Sequence, residues 1–229
     1  LSSIYSSIMS SHQRSHKQQT GFTLVELLVS LTLGATILLA TSKLFIESRE
    51  SFRYAEQSQE LHERGRHAMQ FIRSELKKVG YTTQDPIESP IYASNSGENS
   101  SLTISYEGGK DCTGSSSSTT KYEISGTNFR CDGSNASPQT LSSHAYGLQI
   151  NFGIDLDEDG SIDRYLTADQ ISSWDRVQSV EVALLLRSKQ PARQTLDADE
   201  YNLLGVSYGP FNDYKLSRIY RSVIELRNR

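Results

Sequence analysis

Gly21-Phe22-Thr23-Leu24-Val25-Glu26-Leu27-Leu28-Val29-Ser30 opens an apolar run that continues to about Thr41, and from Phe22 to Thr41 its only ionisable side chain is Glu26. As a helix, a run of this length spans roughly 30 Å, the thickness of a bilayer's hydrocarbon core. Residues 22–42 are therefore expected to cross a membrane. A carboxylate within such a helix costs about 2.5 to 3.5 kcal/mol at mid-membrane and less near the interface, so Glu26 reads as a functional residue that wants a cationic partner. The competing reading is an ordinary secretory signal, with Arg14 and Lys17 as its basic region and Ala40-Thr41-Ser42 as its cleavage site. The length of the run and its internal acid speak against that.

Outward on the N-terminal side, residues 1–21 are polar and rich in Ser and Gln, carry Arg14 and Lys17 and no acid, and read as a targeting leader. The two cations place that end in the cytoplasm, a bias that Lys43 on the far side weakens. The rest of the chain is then exported. On the C-terminal side, Phe45, Phe52, Ala55, Leu61, Ala68, Ile72, Leu76 and Val79 recur mostly at intervals of three, four or seven, one face of an amphipathic helix over residues 43–79. This helix is expected to continue from the membrane and to stop at Gly80, after Lys77 and Lys78 and before Pro86. Gly34 and Gly65 are expected to be weak points in it. The charges that remain, Arg49, Arg53, Glu56, Glu60, Glu63, Arg64 and Arg66, suit a solvated face or contacts with neighbouring subunits.

Length and composition bound the rest: 229 residues, 36% hydrophobic and 22% charged, accommodate one membrane helix and one globular domain, here residues 80–229. Without the leader the formal charge moves from -4 to -6, from 21 Lys+Arg against 27 Asp+Glu. No basic cluster with interleaved aromatics follows the leader, which argues against a nucleic-acid partner. Residues 82–101 read as a connecting loop. Alternation at Leu102, Ile104 and Tyr106, at Tyr122 and Ile124, and at Phe129 and Cys131 marks strands, the last two joined by a Gly126-Thr127 turn. Leu148 to Ile154, Val180 to Leu186 and Ser217 to Arg227 read as further strands, with a short helix over Asp169–Val177. The expected fold class is α+β, a long N-terminal helix packed on a mostly antiparallel sheet. Cys112 and Cys131 both lie in the exported part, where an oxidising compartment favours a disulfide between them.

The stretch from Gly21 to Glu26 closely resembles the processing site of type IV prepilins and type II secretion pseudopilins, and the long apolar helix after it completes the pattern. The resemblance implies cleavage after Gly21 by prepilin peptidase, methylation of the new terminus Phe22, and pairing of Glu26 with the terminal amine of a neighbouring subunit. The disulfide loop, the Asp-rich turn before Arg164-Tyr165 and the terminal Arg221-Ser222-Val223-Ile224-Glu225-Leu226-Arg227-Asn228-Arg229 look like minor pilins of the PilW type. The implied function is non-enzymatic: assembly or priming of a type IV pilus from the inner membrane, with other minor pilins and the major pilin as partners. A minor pseudopilin of type II secretion and a membrane-tethered calcium-dependent adhesin are the rivals.

One further cluster carries chemistry. Asp155, Asp157 and Asp159, then Gly160, the backbone carbonyl of Ser161, and Asp163 match positions 1, 3, 5, 6, 7 and 9 of a calcium loop. Position 12 is Leu166, so the bidentate glutamate of an EF-hand is missing. The alternative is an acidic turn with no ion. His12, His16, His62, His67 and His144 have no metal-site or relay spacing, and Asn99 and Asn135 begin Asn-x-Ser triplets of little weight.

Overall fold

The computed structural model describes residues 21–83, 85–87, 89–95, 98–116, 119–134 and 137–227. The leader residues before Gly21, with Arg14, Lys17, His12 and His16, and the Asn135 triplet lie outside the described residues. Helix α1 runs Leu24–Leu76, passing Gly34 and Gly65 without a break. The chain divides into two compact units between Ser48 and Arg49.

In the first unit the apolar side chains of α1 are largely exposed among the described residues: Phe22 is 84% exposed and Leu39 72%. In the second, α1 buries Gln57, Leu61, Gly65, Ala68, Ile72, Glu75 and Leu76. The expected apolar face is corrected at its start, because Phe45, Phe52 and Ala55 are exposed and burial begins only at Gln57, where the rest of the domain first closes on the helix. Gln57 was not expected there. Its Oε1 accepts the Gln190 N–H at 3.0 Å, which satisfies a buried polar atom that would otherwise cost about 1–3 kcal/mol. Gly65 is corrected too. It is the place where the Tyr220 ring lies flush on α1, and a Cβ at Gly65 would fall inside van der Waals distance of that ring. The Tyr220 hydroxyl donates to the Leu61 carbonyl at 2.9 Å, so the contact is fixed at both ends. The helix ends at Leu76, three residues before the expected end, and a tighter turn carries the chain to Gly80, which takes φ 75 and donates its N–H to Ser105 O at 3.0 Å.

Two antiparallel sheets and a hairpin follow, where one sheet was expected. The first is a meander of β1 (Ile91–Ser94), β2 (Ser101–Ser105), β3 (Thr119–Ser125), β4 (Asn128–Asp132) and β5 (Gln139–Ser143). β1 corrects the reading of residues 82–101 as loop: four residues alone show too little alternation, and pairing of Ile91 with Ile104 makes them a strand. β5, likewise unexpected, is largely polar and exposed. The second sheet has the order β11-β8-β6-β7, with β6 at Ala145–Ile154, β7 at Arg164–Leu166, β8 at Val177–Arg187 and β11 at Ser217–Glu225. The helix expected over Asp169–Val177 is instead two 3-10 turns, Ala168–Gln170 and Trp174–Arg176. Ile171, Ser172 and Ser173 sit between them, with Ile171 and Ser173 in extended conformation, while the Gln170 side chain accepts the Thr167 N–H at 3.3 Å and caps the start of the first turn.

β8 is buried at every residue but Gln178 because both its faces are covered. Val180, Val182, Leu184 and Leu186 join the main core with α1, β2, β3 and β6, while Ala183 and Leu185 pack under the hairpin of β9 (Tyr201–Leu203) and β10 (Val206–Tyr208). The stretch from β8 to β9 has no regular structure and is held by ions. Asp197, fully buried, accepts from Arg193 at 2.7 Å, Tyr201 at 2.7 Å and Ser217 at 2.6 Å, while the Arg187 guanidinium pairs with Asp213 and lies 3.8 Å over the Phe211 ring. Buried charge is tolerable only when its hydrogen bonds are met in this way.

Candidate functional site

Three elements carry the chemistry expected of the chain. The first is the start of α1. Thr23 precedes the helix, and its Oγ1 accepts the Glu26 N–H at 3.2 Å while the Glu26 carboxylate accepts both the Thr23 N–H and the Thr23 hydroxyl at 3.2 Å. This is a capping box, legible in the sequence as Thr-x-x-Glu but not expected there, and it satisfies orphan helix donors in a segment with no water to do so. Gly21 and Phe22 precede it as an exposed, irregular pair. Glu26 is itself exposed, and both bonds from Thr23 fall on one of its oxygens, Oε2.

The second is the turn joining β6 to β7. Ile154 pairs with Arg164, which leaves residues 155–163 as the loop. Asp155 is 2% exposed and anchors it, accepting the N–H groups of Glu158 at 2.7 Å and Gly160 at 2.9 Å and the Gln178 amide at 2.7 Å. Gly160 sits at φ 89, a conformation that side chains resist, and the turn depends on it. Carboxylate oxygens of Asp155, Asp157 and Asp159 come within 4.8 Å of one another. Asp163 is not part of that trio: its carboxylate accepts the Leu156 N–H at 2.7 Å. Ser161 donates its N–H to Asp159 at 2.7 Å. Arg176 closes the rim, donating to Leu156 O at 3.0 Å and pairing with Glu158 at 3.2 Å.

The third is the disulfide loop. Cys112 and Cys131 are bonded, their Cα atoms 6.4 Å apart and 19 positions apart in sequence. Cys131 lies on β4 in the core and Cys112 leads the loop. Asp111, 5% exposed and missed in the sequence, organises it: its carboxylate accepts the Thr113 N–H at 2.9 Å, the Thr113 hydroxyl at 2.7 Å, the Ser115 N–H at 2.9 Å and the Ser134 N–H at 3.0 Å. Burial alone raises such a carboxyl, but the bonds from Thr113, Ser134 and Ser115 outweigh it and hold Asp111 below the usual carboxylate range. Deeper in the core, burial and the Glu75 carboxylate, which accepts both hydroxyls, push Tyr106 and Tyr122 upward. None of these groups lines up with a second as nucleophile and base.

A family model described as Type IV Pilus-assembly protein W matches residues 112–228, half of the chain. The chain belongs to the PilW family. A second model, the prokaryotic N-terminal methylation motif, matches residues 16–42, which include Gly21, Phe22 and Glu26. Among solved structures, a type IV-like pilin from Thermus thermophilus aligns at 16% identity with a TM-score of 0.47, covering 73% of this chain and 97% of that one. No curated protein matches.

The PilW-family region starts at the disulfide and takes in β3 to β5 of the first sheet, the acidic turn, the β9–β10 hairpin and the whole second sheet, and leaves out α1, β1 and β2. The methylation motif covers the apolar half of α1. Together they make the chain a minor pilin of type IV pilus assembly, anchored in the inner membrane by one pass of α1 with its C-terminal domain on the pilus side. Such proteins are structural, contact other pilins and are substrates of prepilin peptidase.

Proposed function

We propose that this chain is cut between Gly21 and Phe22, methylated at Phe22, and then taken into a complex of minor pilins that primes or caps the filament, performing no catalysis of its own. What carries the reading is the uncovered first part of α1. From Phe22 to Ile46 its large apolar side chains are at least half exposed, and removing them from water is worth about 1.5–3 kcal/mol each. The bilayer supplies that cover before assembly, and the apolar helices of other pilins supply it afterwards. Glu26 marks the position: a neighbour's new terminal amine is the cation that would offset its burial.

The acidic loop has an accessory role, in which calcium held by Asp155, Asp157 and Asp159, with the Ser161 carbonyl and Asp163 as further oxygens, stiffens the turn between β6 and β7. The donor set is all oxygen and strongly anionic, as this hard cation requires. Mass spectrometry of the membrane form and of sheared pili tests the main proposal. A mature terminus at Phe22 and a low ratio to the major subunit are expected. A terminus at Lys43, or abundance equal to the major subunit, would overturn it. Glu26→Ala should insert in the membrane as well as the parent yet be depleted from pili at least about tenfold, the equivalent of one lost ion pair in a dry interface.

A further inference from the structure

We infer that the outer edge of β11, together with the flank of α1 beside it, is a docking seam for an extended acidic segment of another pilin subunit, which adds to the sheet as a strand. The inference rests on the assembly role for its choice of partner. Its geometric basis is independent of that role. β11 is the end strand of its sheet, nine residues long, and pairs with β8 from Ser217↔Arg187 to Glu225↔Ser179 without a register shift. Among the described residues no hydrogen bond from another element reaches the backbone of residues 218–224 on the side away from β8. Alternate N–H and C=O groups therefore face outward unpaired, and the strand has none of the prolines or bulges that usually blunt an edge.

The helix supplies the charge. Leu61, Gly65, Ala68 and Ile72 point into the core, so His62, Arg66, Met69 and Arg73 form a stripe roughly a quarter-turn away. Both ends of the stripe touch β11: His62 Nδ1 lies 3.2 Å from an Arg218 nitrogen, and Arg73 donates to Ser222 Oγ at 2.6 Å. The stripe thus borders the open edge. Among the described residues Arg66, Arg73 and Arg218 have no carboxylate in ion-pair distance. On the opposite flank of α1 the charges have partners, with Arg64 donating to the carbonyls of Ser143 and Arg187 and Glu60 paired to Lys189 at 2.5 Å. Arg221 is paired to Glu181 on the outer face of the sheet, which Glu225 shares.

Three uncompensated cations beside a free strand edge, on a chain of net charge -4, match an extended segment rich in Asp or Glu. The main-chain ladder would provide affinity and the arginines would choose the partner and its register. A second copy of β11 is a poor occupant, since it would bring one cationic seam against another.

The test uses the full chain in detergent micelles and fluorescent nine-residue peptides. A Val-Glu alternating peptide should bind; its Val-Lys counterpart, and the Val-Glu peptide with alternate backbone nitrogens methylated, should bind at least about tenfold more weakly. Arg66→Glu with Arg218→Glu, both at the rim, should reverse the preference to Val-Lys while leaving unfolding cooperative. Equal binding of the methylated peptide, unchanged preference in the double variant, or no binding of Val-Glu at millimolar concentration would each overturn the seam. Recovery of the double variant in sheared pili at the parental ratio would remove the seam from assembly and leave the assembly role itself standing.

Discussion

Replacing Gly65 by Ala should destabilise the exported domain, although the same change in an open helix is favourable. In a helix interior Ala gains about 1 kcal/mol over Gly. At Gly65 the new methyl would meet the Tyr220 ring, which cannot swing aside freely because its hydroxyl is bonded to Leu61 O and its ring abuts His62 at 6.3 Å between centroids. Forcing a methyl into a filled contact costs about 1–3 kcal/mol, and loss of the Tyr220 hydrogen bond adds about 1 kcal/mol. The balance is a loss of about 2 kcal/mol, a fall in Tm of roughly 4–8 °C for a domain of this size. The single tryptophan, Trp174, packs edge-on to Phe152 at 5.0 Å and gives the domain its own fluorescence signal. Urea titration followed at Trp174 in the full chain should show the lower midpoint. The decisive comparison is the background Tyr220→Ala, itself less stable, in which Gly65→Ala should become stabilising by up to about 1 kcal/mol. If Gly65→Ala stabilises both backgrounds equally, the close approach of Tyr220 to α1 is not what holds this position.

Asp111→Asn should cost about 1–3 kcal/mol at neutral pH, because an amide nitrogen cannot accept the Ser134 N–H. Since the folded Asp111 carboxyl is held below its usual range, its contribution is present above the unfolded value near 3.9 and disappears as pH falls through the folded one. Urea midpoints of parent and variant should therefore converge in acid, and a constant gap down to the lowest pH would refute this. Replacing both Cys112 and Cys131 by Ser should cost about 3 kcal/mol for a closed loop of this length, read as the shift in urea midpoint relative to the oxidised parent. The full chain should melt higher in millimolar calcium than in chelator, by on the order of 1–2 kcal/mol for a weak extracellular-type site, with magnesium a poor substitute. Asp157→Ala should abolish that increment, and identical melting of the parent with and without calcium would leave only an acidic turn.

Strand signals were legible where several residues alternate against one core. Leu102 and Ile104, Phe129 and Cys131, and the run through β8 all became strands. They failed where pairing rather than pattern makes the strand. β1 and β5 are short, partly polar and defined by their neighbours, and β9 and β10 are three residues each. The helix expected over Asp169–Val177 is split because Ile171 and Ser173 take extended conformations between the two 3-10 turns, in a stretch where Ser, Ile, Asp and Val are weak helix formers. At the candidate sites, Glu26 could be singled out as the one acid in an apolar run and the Asp155 to Asp159 trio by its spacing, because both patterns are local in the chain. Gln57 and Tyr220 could not, because their partners lie far along the chain at Gln190 and Gly65, and Asp111, although bonded locally to Thr113 and Ser115, owes its burial and its fourth bond to the distant Ser134.

The amino-acid order by itself determined what depends on local chemistry: an apolar helix with one acid at its start, a leader-like segment before it, two cysteines available to each other, and an acidic loop of fixed spacing. Those follow from transfer free energies, helix periodicity and side-chain reach over a few residues. Only the tertiary structure decided that the core is built from two sheets, that burial on α1 begins at Gln57, that Gly65 is a contact rather than a weak point, and that β11 ends its sheet with an open edge beside Arg66, Arg73 and Arg218. Each of those depends on which distant segments meet, a choice made by the summed burial of a whole core and not by any stretch that can be read alone.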